Sequence, residues 1–567
     1  MNLFDGAIEE RGDIDYDHYQ SLVELIDTAC DRFPDAPAVS NLGRTLSYRE
    51  LQQATRDFAA YLQHHTTLEP GDRIAIQLPN LIQYPVALFG ALRAGLVVVN
   101  TNPLYSSAEM LTQFQDSGAR ALVVLANLAH QVEEIIDDTA LETVIITQVG
   151  DAHPPARRLF INSLLRHVKR MVPEYNLPGA ISYTQVMKEG GQCGAFEPPE
   201  LTQDDLALLQ YTGGTTGIPK GAMLSHRNIL ANMLQVKALL ERLTSPGREV
   251  VIAPLPLYHI YSFTLNCVLM PEIGGHVVLI TNPRDIPAFV RELRRWRFTI
   301  LSGLNTLFVA LCKNPRFREL DFSSLKLTLS GGMPLTVSVA REWESVTGCP
   351  VVEGYGLTET SPIVSVNPPE SIQLGTIGLP IADTEVRLVD ADGTLVPRGG
   401  MGELQVRGPQ VMQGYWNRPQ ETRQALDPDG WFRTGDVAQV EEDGYLRIVD
   451  RKKDMIIVSG FNVYPNELEK VIAGHPDIDE CAVVGLPDET QGERIKVYVS
   501  SRNPELTVKD VRDYCRERLT PYKVPQVVEF RSELPKSAVG KVLRRVLRDE
   551  EAHKRPASGN GQGASGS

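Results

Sequence analysis

The sequence lacks the features of several protein classes. None of its seven cysteines lies in a CxxC pair, so neither a zinc site nor a disulfide framework is predicted. It has no basic excess, because 71 acidic side chains outnumber 56 basic ones and the formal net charge is −15. General nucleic-acid binding needs a basic face, so no nucleic-acid partner is expected.

Signals for export and for membrane insertion are also absent from the sequence. The first residues, MNLFDGAIEERGDIDYD, are acidic and lack the basic-then-apolar order of a signal peptide. The most apolar window, Tyr84 to Asn100, contains Arg93 and two glycines and is too short to span a bilayer. We therefore expect a cytoplasmic protein with reduced thiols.

The 567 residues change in pattern along the chain. Up to about residue 450, predicted strands alternate with amphipathic helices, as in the strand Arg73–Gln77 followed by the helix Ile82–Ala94. This alternation predicts an α/β domain with a mainly parallel sheet and helices on its faces. Asp-Gly turn signals between short strands after Pro380 predict a small β-rich subdomain within it.

A second, smaller domain is predicted after Asp450. A helix at Pro465–Ile472, further strands and a second helix indicate a compact α+β unit. The predicted organisation is therefore a large domain over residues 1–450, a small domain over 451–552, and a disordered Gly/Ser-rich tail over 553–567.

One Gly/Thr-rich loop is a candidate anion site. It reads YTGGTTGIPKG, and its candidate phosphate ligands are Thr212, Gly213, Gly214, Thr215, Thr216, Gly217 and Lys220. Glycines let backbone N–H groups converge on an anion, threonine hydroxyls add donors, and lysine adds positive charge. The flanking segments predict a strand–loop–helix setting, and a mobile surface turn is the alternative. The mononucleotide P-loop pattern is not met, because Lys220 precedes a glycine instead of following one.

The loop resembles the signature of AMP-forming acid–CoA ligases, the adenylate-forming superfamily that includes luciferases and peptide-synthetase adenylation domains. Further matches follow in that family's order, namely PLYH at 256–259, SGGMP at 330–334, YGLTET at 355–360, the stretch 429–453, and PKSAVGKVLRR at 535–545. The stretch at 429–453 resembles the signature of fatty acyl-CoA synthetases in particular. From about residue 20 to 550 the chain is similar to bacterial long-chain fatty acid–CoA ligases.

The resemblance implies a nucleotide site. It assigns Thr358 to phosphate contact, Glu359 to binding Mg²⁺, Tyr355 to stacking on the purine, and Asp436 to the ribose hydroxyls with help from Arg451. The other residues that it places around the nucleotide are Gly331, Gly332, Met333, Pro334, Glu353, Gly354, Gly356 and Ile448.

The resemblance also implies a mobile small domain. Lys541 matches the catalytic lysine, whose ammonium would offset the repulsion between a carboxylate and the α-phosphate. Lys453 matches the hinge position, and the CoA arm would pass Ser459, Gly460 and Phe461.

The expected acyl site adjoins His259. The apolar segment Tyr261–Leu269 and the segment Gly303–Leu311 match regions that line the family's acyl pocket, although core packing explains most of their side chains equally well. His259 is either a direct participant or a structural residue beside the acyl chain.

The resemblance therefore implies a two-step ligase that converts fatty acid, ATP and CoA to acyl-CoA, AMP and pyrophosphate with Mg²⁺. It also implies transient, peripheral contact with the inner face of the cell membrane, and it leaves homodimerisation open. The alternatives are a related ligase for medium-chain or aromatic acids and a catalytically silent acyl- or nucleotide-binding protein.

Overall fold

The computed structural model describes residues 14–194, 196–212, 219–459, 461–488, 490–536 and 542–554. The chain divides into two compact units. The first unit comprises residues up to 387 together with 405–434 and 440–447, and the second comprises 388–404, 435–439 and residues from 448 onward. No helix in these described ranges is long and apolar enough to cross a membrane.

The described strands follow one another along the chain as β1 (Pro37–Asn41), β2 (Arg44–Ser47), β3 (Arg73–Gln77), β4 (Val97–Asn100), β5 (Ala121–Leu125), β6 (Thr143–Thr147), β7 (Ile181–Ser182), β8 (Leu206–Thr212), β9 (Lys220–Ser225), β10 (Val250–Ala253), β11 (His276–Leu279), β12 (Ile300–Gly303), β13 (Leu327–Ser330), β14 (Val351–Gly356), β15 (Ile363–Val366), β16 (Leu379–Pro380), β17 (Glu385–Val389), β18 (Met401–Arg407), β19 (Gly414–Tyr415), β20 (Phe432–Val440), β21 (Leu446–Arg451), β22 (Ile456–Val458), β23 (Phe461–Val463), β24 (Glu480–Asp488), β25 (Gly492–Ser500) and β26 (Val527–Phe530).

The helices are α1 (Leu22–Arg32), α2 (Tyr48–His65), α3 (Gln83–Arg93), α4 (Ser107–Ser117), α5 (Ala129–Glu133), α6 (Pro155–Ser163), α7 (Tyr183–Gly190), α8 (His226–Leu240), α9 (Ile260–Phe263), α10 (Met270–Glu272), α11 (Ile286–Leu293), α12 (Asn305–Cys312), α13 (Pro315–Arg318), α14 (Val337–Thr347), α15 (Pro419–Ala425), α16 (Pro465–Ile472), α17 (Val508–Arg516) and α18 (Arg544–Lys554). Wider π-helical turns occupy Leu164–Val168 and Thr264–Leu269, and short 3-10 turns occupy Ala126–Leu128, Ile136–Asp138, Thr358–Thr360, Lys452–Asp454 and Pro521–Lys523.

The first unit contains two large, mostly parallel sheets. Sheet A has the strand order β16-β15-β14-β13-β12-β10-β11-β1-β2, and sheet B has the order β19-β9-β8-β4-β3-β5-β6-β7. The inner strands of both sheets pair in parallel, and antiparallel partners lie at the edges, such as β14 with β15 and β8 with β9. Ligands bind at the carboxyl ends of parallel strands in such folds, so those ends identify where a site belongs.

The cores explain the layering of the first unit. Its largest core contains residues of both sheets and of α1, α2, α3 and α8. In a second core, helices α11, α12 and α14 pack against sheet A, with the fully buried Trp343 of α14 among its residues. In a third core, helix α4 packs against sheet B. Helices therefore cover the sheets as the alternating pattern predicts.

The remaining sheets are smaller. Strands β17, β18, β20 and β21 form a four-stranded sheet. Some residues of this sheet belong to the first unit and others to the second. In the second unit, β23, β22, β25 and β24 form an antiparallel sheet, and β26 adds to β25 in parallel. Helices α16 and α17 contribute to its core through Leu468, Val511 and Cys515.

The predicted α/β class, with a large N-terminal domain and a small C-terminal one, is confirmed. Strand β3 and helix α16 have the predicted bounds, and α3 begins one residue later and ends one residue earlier than predicted. Helix α18 extends to Lys554, and the rest of the predicted tail, 555–567, lies outside the described residues.

The predicted strand–loop–helix setting of the Gly/Thr-rich loop is wrong in one respect. A strand that the prediction omitted, β9, follows the loop and pairs antiparallel with β8 before α8 begins. The helix starts only after Ser225, whose side chain accepts from the Asn228 backbone N–H while Asn228 accepts from Ser225 in a reciprocal cap. Strands β8 and β9 therefore form the two paired arms of a hairpin on either side of the loop.

Candidate active site

The Gly/Thr-rich loop begins and ends on two paired residues. Thr212, the last residue of β8, lies opposite Lys220, the first residue of β9. Gly213, Gly214, Thr215, Thr216 and Gly217 lie outside the described residues. Because β8 is parallel to the inner strands of sheet B, the hairpin extends from their carboxyl-end edge.

The Tyr415 side chain contacts both Lys220 of this hairpin and Glu359, the predicted metal ligand. The Lys220 ammonium lies 5.2 Å from the centre of the Tyr415 ring, within cation–π range. The Tyr415 hydroxyl donates to Glu359 Oε1 at 2.7 Å, and burial together with this carboxylate raises the pKa of Tyr415 well above its ordinary value. Tyr415 therefore stays protonated and positions the Glu359 carboxylate beside the candidate phosphate site.

Backbone pairing holds these groups in place. Strand β19 pairs with β9, which sets Tyr415 opposite Ala222, and the Met412 N–H donates to the Glu359 carbonyl at 2.8 Å. Thr358 and Glu359 occupy the turn that follows β14. Gly356 precedes this turn where a Cβ would lie 1.9 Å from the Pro362 carbonyl oxygen, so no other residue fits there without a backbone shift.

The predicted adenine-side segment lies next to the end of β14. Ser330 of β13 pairs with Glu353, so the loop containing Gly331, Gly332, Met333 and Pro334 leaves sheet A beside Gly354, Tyr355 and Gly356. A Cβ on Gly331 would lie 3.3 Å from the Gly354 carbonyl oxygen and 3.4 Å from the Tyr261 ring. The structure thus brings these two predicted segments together.

Glu353 is a buried carboxyl that supports this loop. It is 7% exposed, and its Oε1 accepts from the Leu335 backbone N–H at 3.0 Å. Burial raises the pKa of Glu353 to about 7, although the hydrogen bond acts in the opposite direction. The prediction placed Glu353 among the nucleotide ligands. The geometry instead favours a structural role, in which Glu353 supports the 331–335 loop.

Burial keeps His259 neutral at pH 7, and a backbone hydrogen bond orients its ring. It precedes α9, where its Nδ1 accepts from the Tyr261 N–H at 3.4 Å, and burial lowers the pKa of His259 to about 4. A neutral ring that accepts at Nδ1 carries its proton at Nε2. Two side-chain amides hold the segment that precedes His259. The Asn80 amide donates to the Leu255 carbonyl and accepts from the Leu257 N–H, and the Gln210 amide donates to the Tyr258 carbonyl.

Tyr261 and Tyr415 are candidate functional residues that the site prediction omitted. The buried Tyr261 hydroxyl has no hydrogen-bond partner among the described residues, and its ring lies against Gly331. Burial of this kind is costly unless a ligand supplies the partner. Tyr261 was considered only as apolar lining, and Tyr415 lies 195 positions from Lys220, so no local pattern connects the two residues.

Most of the apolar residues expected around an acyl chain belong to the core. Phe263, Val268 and Leu269 are 0 to 3% exposed and pack in the largest core cluster. Phe308 is also fully buried, and a Cβ on Gly303 would lie only 2.5 Å from its ring. Core packing therefore accounts for these residues.

The predicted ribose pair belongs to the second unit. Arg451 Nε lies 2.7 Å from Asp436 Oδ1, and the Asp436 side chain is 4% exposed. Asp436 is on β20, and Ile448 and Arg451 are on β21. Pairing with a guanidinium orients a buried carboxylate, as an acceptor for two hydroxyls must be oriented.

The predicted hinge and CoA residues lie in the second unit as well. Lys453 is exposed, and its carbonyl accepts from Arg548. Ser459 adopts a φ of 52°, and Phe461 stacks on Tyr522 with ring centres 4.8 Å apart. Gly460 and Lys541 lie outside the described residues.

The described part of the chain contains no group of three or more His, Cys, Asp or Glu side chains that could hold a metal ion. Mg²⁺ is commonly bound by one or two carboxylates, with substrate phosphates and water completing its shell. Glu359 beside the hairpin suits that arrangement, and a dedicated protein cage does not.

Comparison with known proteins identifies two family matches. Residues 26–416 match the AMP-binding enzyme family, and residues 467–541 match the AMP-binding enzyme C-terminal domain. A long-chain-fatty-acid–CoA ligase of Escherichia coli O6:H1 is 52% identical over 539 residues, which cover 95% of this chain and 96% of that protein. One of Haemophilus influenzae is 48% identical and covers 96% of this chain and 97% of its own.

A solved structure agrees with the fold. ATP-bound MatB from Rhodopseudomonas palustris superposes with a TM-score of 0.80 at 28% identity, covering 93% of this chain and 98% of its own.

Proposed function

Because this chain belongs to the AMP-binding enzyme family, we propose that it is a long-chain-fatty-acid–CoA ligase. It joins a fatty acid to ATP as acyl-AMP with release of pyrophosphate, and then transfers the acyl group to CoA with release of AMP. The identity of 52% with a protein of that name over nearly the full chain supports the substrate class. The observation that carries the chemistry is the connection of Lys220 through Tyr415 to Glu359.

In the first step, the hairpin between Thr212 and Lys220 holds the phosphates of ATP with backbone N–H groups, hydroxyls and the ammonium. Glu359 would hold Mg²⁺, which when bound neutralises phosphate charge. Thr358 contacts the phosphates, and the segments around Gly331 and Gly354 contact the adenine, with Tyr355 stacked on it.

The second unit contributes to both steps in this proposal. Asp436, held by Arg451, accepts from the ribose hydroxyls. Lys541 stabilises the charge that develops when the carboxylate attacks the α-phosphate. Rotation at Lys453 then brings Ser459, Gly460 and Phe461 to the pantetheine arm of CoA. The corresponding domains are residues 1–450 and 451–552, with a tail at 553–567.

Neutral His259 lies beside the acyl carbonyl in this proposal, where its Nε2–H is a donor and cannot act as a cationic acid at neutral pH. The fatty acid is taken from the inner face of the membrane through transient contact. Light scattering of the purified protein tests whether it forms a homodimer.

ATP–pyrophosphate exchange over a series of acids tests the proposal. We expect exchange with long-chain fatty acids. Exchange with aryl or medium-chain acids alone would support the related ligase, and exchange with no acid would support a silent binding protein.

The role of Lys541 needs a separate test, because its effect is specific to one half-reaction. Lys541→Ala should reduce adenylation on the order of 100- to 1000-fold, the usual loss for one transition-state charge donor. Thioester formation from supplied acyl-AMP should remain near the wild-type rate. Equal losses in the two half-reactions would contradict the assigned role.

A further inference from the structure

The segment 155–171, which is helical from Pro155 to Val168, exposes large apolar side chains. Helix α6 continues as the π-helical turn Leu164–Val168, and none of the residues in either element is buried. Leu159 and Phe160 are 70% and 68% exposed, and Val168 and Met171 are 70% and 54% exposed. Helices in globular proteins are normally stabilised by a buried apolar face, and several large exposed apolar side chains within one short segment indicate an interaction surface.

The same segment is strongly basic in an acidic protein. Between Asp151 and Glu174 the sequence has no acidic residue and five lysines and arginines, namely Arg157, Arg158, Arg166, Lys169 and Arg170. The whole chain carries a formal charge of −15. Arg166, Lys169 and Arg170 are exposed and form no salt bridge with any residue that the structure describes.

Specific contacts hold this segment against the first unit. The Arg157 guanidinium donates to the Leu42 and Gly43 carbonyls. Asn162 accepts from the Gly150 N–H and donates to Asp151, and Asn127 donates to the Met171 carbonyl at 2.7 Å. Its exposed side chains are therefore presented from a fixed base.

The segment emerges on the side of sheet B where the candidate site lies. It follows β6, which runs parallel to β8 with β5, β3 and β4 between them. Parallel strands end at the same edge, so the segment and the Thr212 hairpin leave the sheet on one side. Four strand spacings separate the two strands by roughly 19 Å.

We propose that the segment 155–171 docks on an anionic lipid surface. Its basic side chains contact lipid headgroups, and Leu159, Phe160, Val168 and Met171 enter the acyl region. A basic helix with large exposed apolar side chains has the character of an interfacial helix. A second copy of the chain fits poorly, because two basic segments would face each other, and nucleic acid gives the exposed apolar side chains no role.

This inference rests on the proposed function to the extent that a fatty acid ligase obtains its substrate from lipid. Docking at this edge of the sheet would bring the lipid surface to the same side as the nucleotide hairpin. The activity and the docking can nevertheless be measured separately.

Vesicle binding of the full-length protein tests the docking. We compare phosphatidylcholine vesicles with vesicles that also contain phosphatidylglycerol, using the wild type and the variant Arg166→Gln/Lys169→Gln/Arg170→Gln. One lysine or arginine at an anionic surface contributes roughly fivefold to partitioning, so the variant should lose roughly 100-fold. The matched control Arg291→Gln/Arg297→Gln/Arg316→Gln removes the same charge from exposed positions elsewhere in the first unit and should bind as the wild type.

A second variant tests the apolar contribution. Leu159→Gln/Phe160→Gln should reduce vesicle binding at least tenfold, and because both side chains are exposed it should leave the fold intact. Wild-type binding that ignores phosphatidylglycerol, unchanged binding of either variant, or equal loss in the control would overturn the proposal. A change of oligomeric state in the basic variant without lipid would overturn it in favour of a second copy.

ATP–pyrophosphate exchange with a long-chain fatty acid supplied on albumin, in the absence of vesicles, separates this inference from the proposed function. All variants should retain wild-type exchange. Vesicle binding without any exchange would contradict the proposed function and leave the docking supported, and exchange without vesicle binding would do the reverse.

Discussion

The substitution Glu353→Gln should make the first unit more stable than that of the wild type at alkaline pH. Glu353 is buried in the middle of strand β14, and burial raises its pKa to about 7 from an ordinary value of 4.5. A carboxyl whose pKa is raised by folding stabilises the folded state fully below its unfolded pKa. That contribution is lost as the pH rises through the folded pKa, so the window lies between pH 4.5 and about 7.

The magnitude follows from the size of the shift. Each unit of pKa corresponds to about 1.4 kcal/mol, so ionised Glu353 lowers the free energy of unfolding by about 3 kcal/mol at pH 8. Glutamine has nearly the same shape, cannot ionise, and can still accept from the Leu335 N–H. At pH 8 the free energy of unfolding of the variant should exceed that of the wild type by about 3 kcal/mol. Between pH 8 and pH 5.5 this difference should shrink by about 2 kcal/mol.

Urea unfolding followed by tryptophan fluorescence measures this difference. All four tryptophans, Trp296, Trp343, Trp416 and Trp431, lie in the first unit with Glu353, so the signal reports that unit. Other titrating groups, such as the buried His226 and His276, are unchanged by the substitution and cancel when the two curves are subtracted. Stability curves that run parallel from pH 5.5 to 8 would refute the reasoning.

Three further substitutions test the described contacts, each with a matched control. Tyr415→Phe keeps the ring over Lys220 but removes the bond to Glu359, and pyrophosphate exchange should fall about tenfold, whereas Tyr445→Phe, which loses a hydroxyl bond to Ser371, should not change it. Arg544→Met leaves the buried Asp450 and the partly buried Glu469 without their cation, so calorimetry should show the second unit destabilised by roughly 3–5 kcal/mol. Arg545→Met, on an exposed i,i+4 pair, should cost under about 1 kcal/mol. Gly356→Ala forces a Cβ to 1.9 Å from the Pro362 carbonyl oxygen and should destabilise the first unit by more than about 2 kcal/mol, whereas Gly354→Ala meets its nearest atom at 3.6 Å and should be tolerated. A result in which a control matches its test variant would contradict the contact concerned.

Local pattern was sufficient to predict elements whose residues have one dominant structural role. Helix α16 begins with a proline at its first position and buries Leu468 and Ile472 on one face, so its bounds could be read from spacing alone. Three segments that carry the resemblance, at 256–259, 330–334 and 355–360, lie at or just after the ends of β10, β13 and β14, and the carboxyl edge of these parallel strands brings them together.

Pairing between distant segments could not be predicted in this way. Strand β9 is held between β8 on one side and β19 on the other. Only that second pairing brings Tyr415 to Lys220, across 195 positions of sequence. The connection between the phosphate hairpin and Glu359 is therefore a property of the tertiary fold.

Net charge gave an incomplete account of the surface for a related reason. A total of −15 argues against a basic face in general, but it averages over the whole chain. The segment 155–171 shows local charge of the opposite sign, and its arginines also depress any hydropathy average taken over its exposed leucine and phenylalanine. Such a segment is recognised only when charge and apolar exposure are read at the same positions. Its opposite sign then has a physical consequence, because the acidic remainder of the protein is repelled by an anionic membrane and the basic segment would orient the molecule toward it.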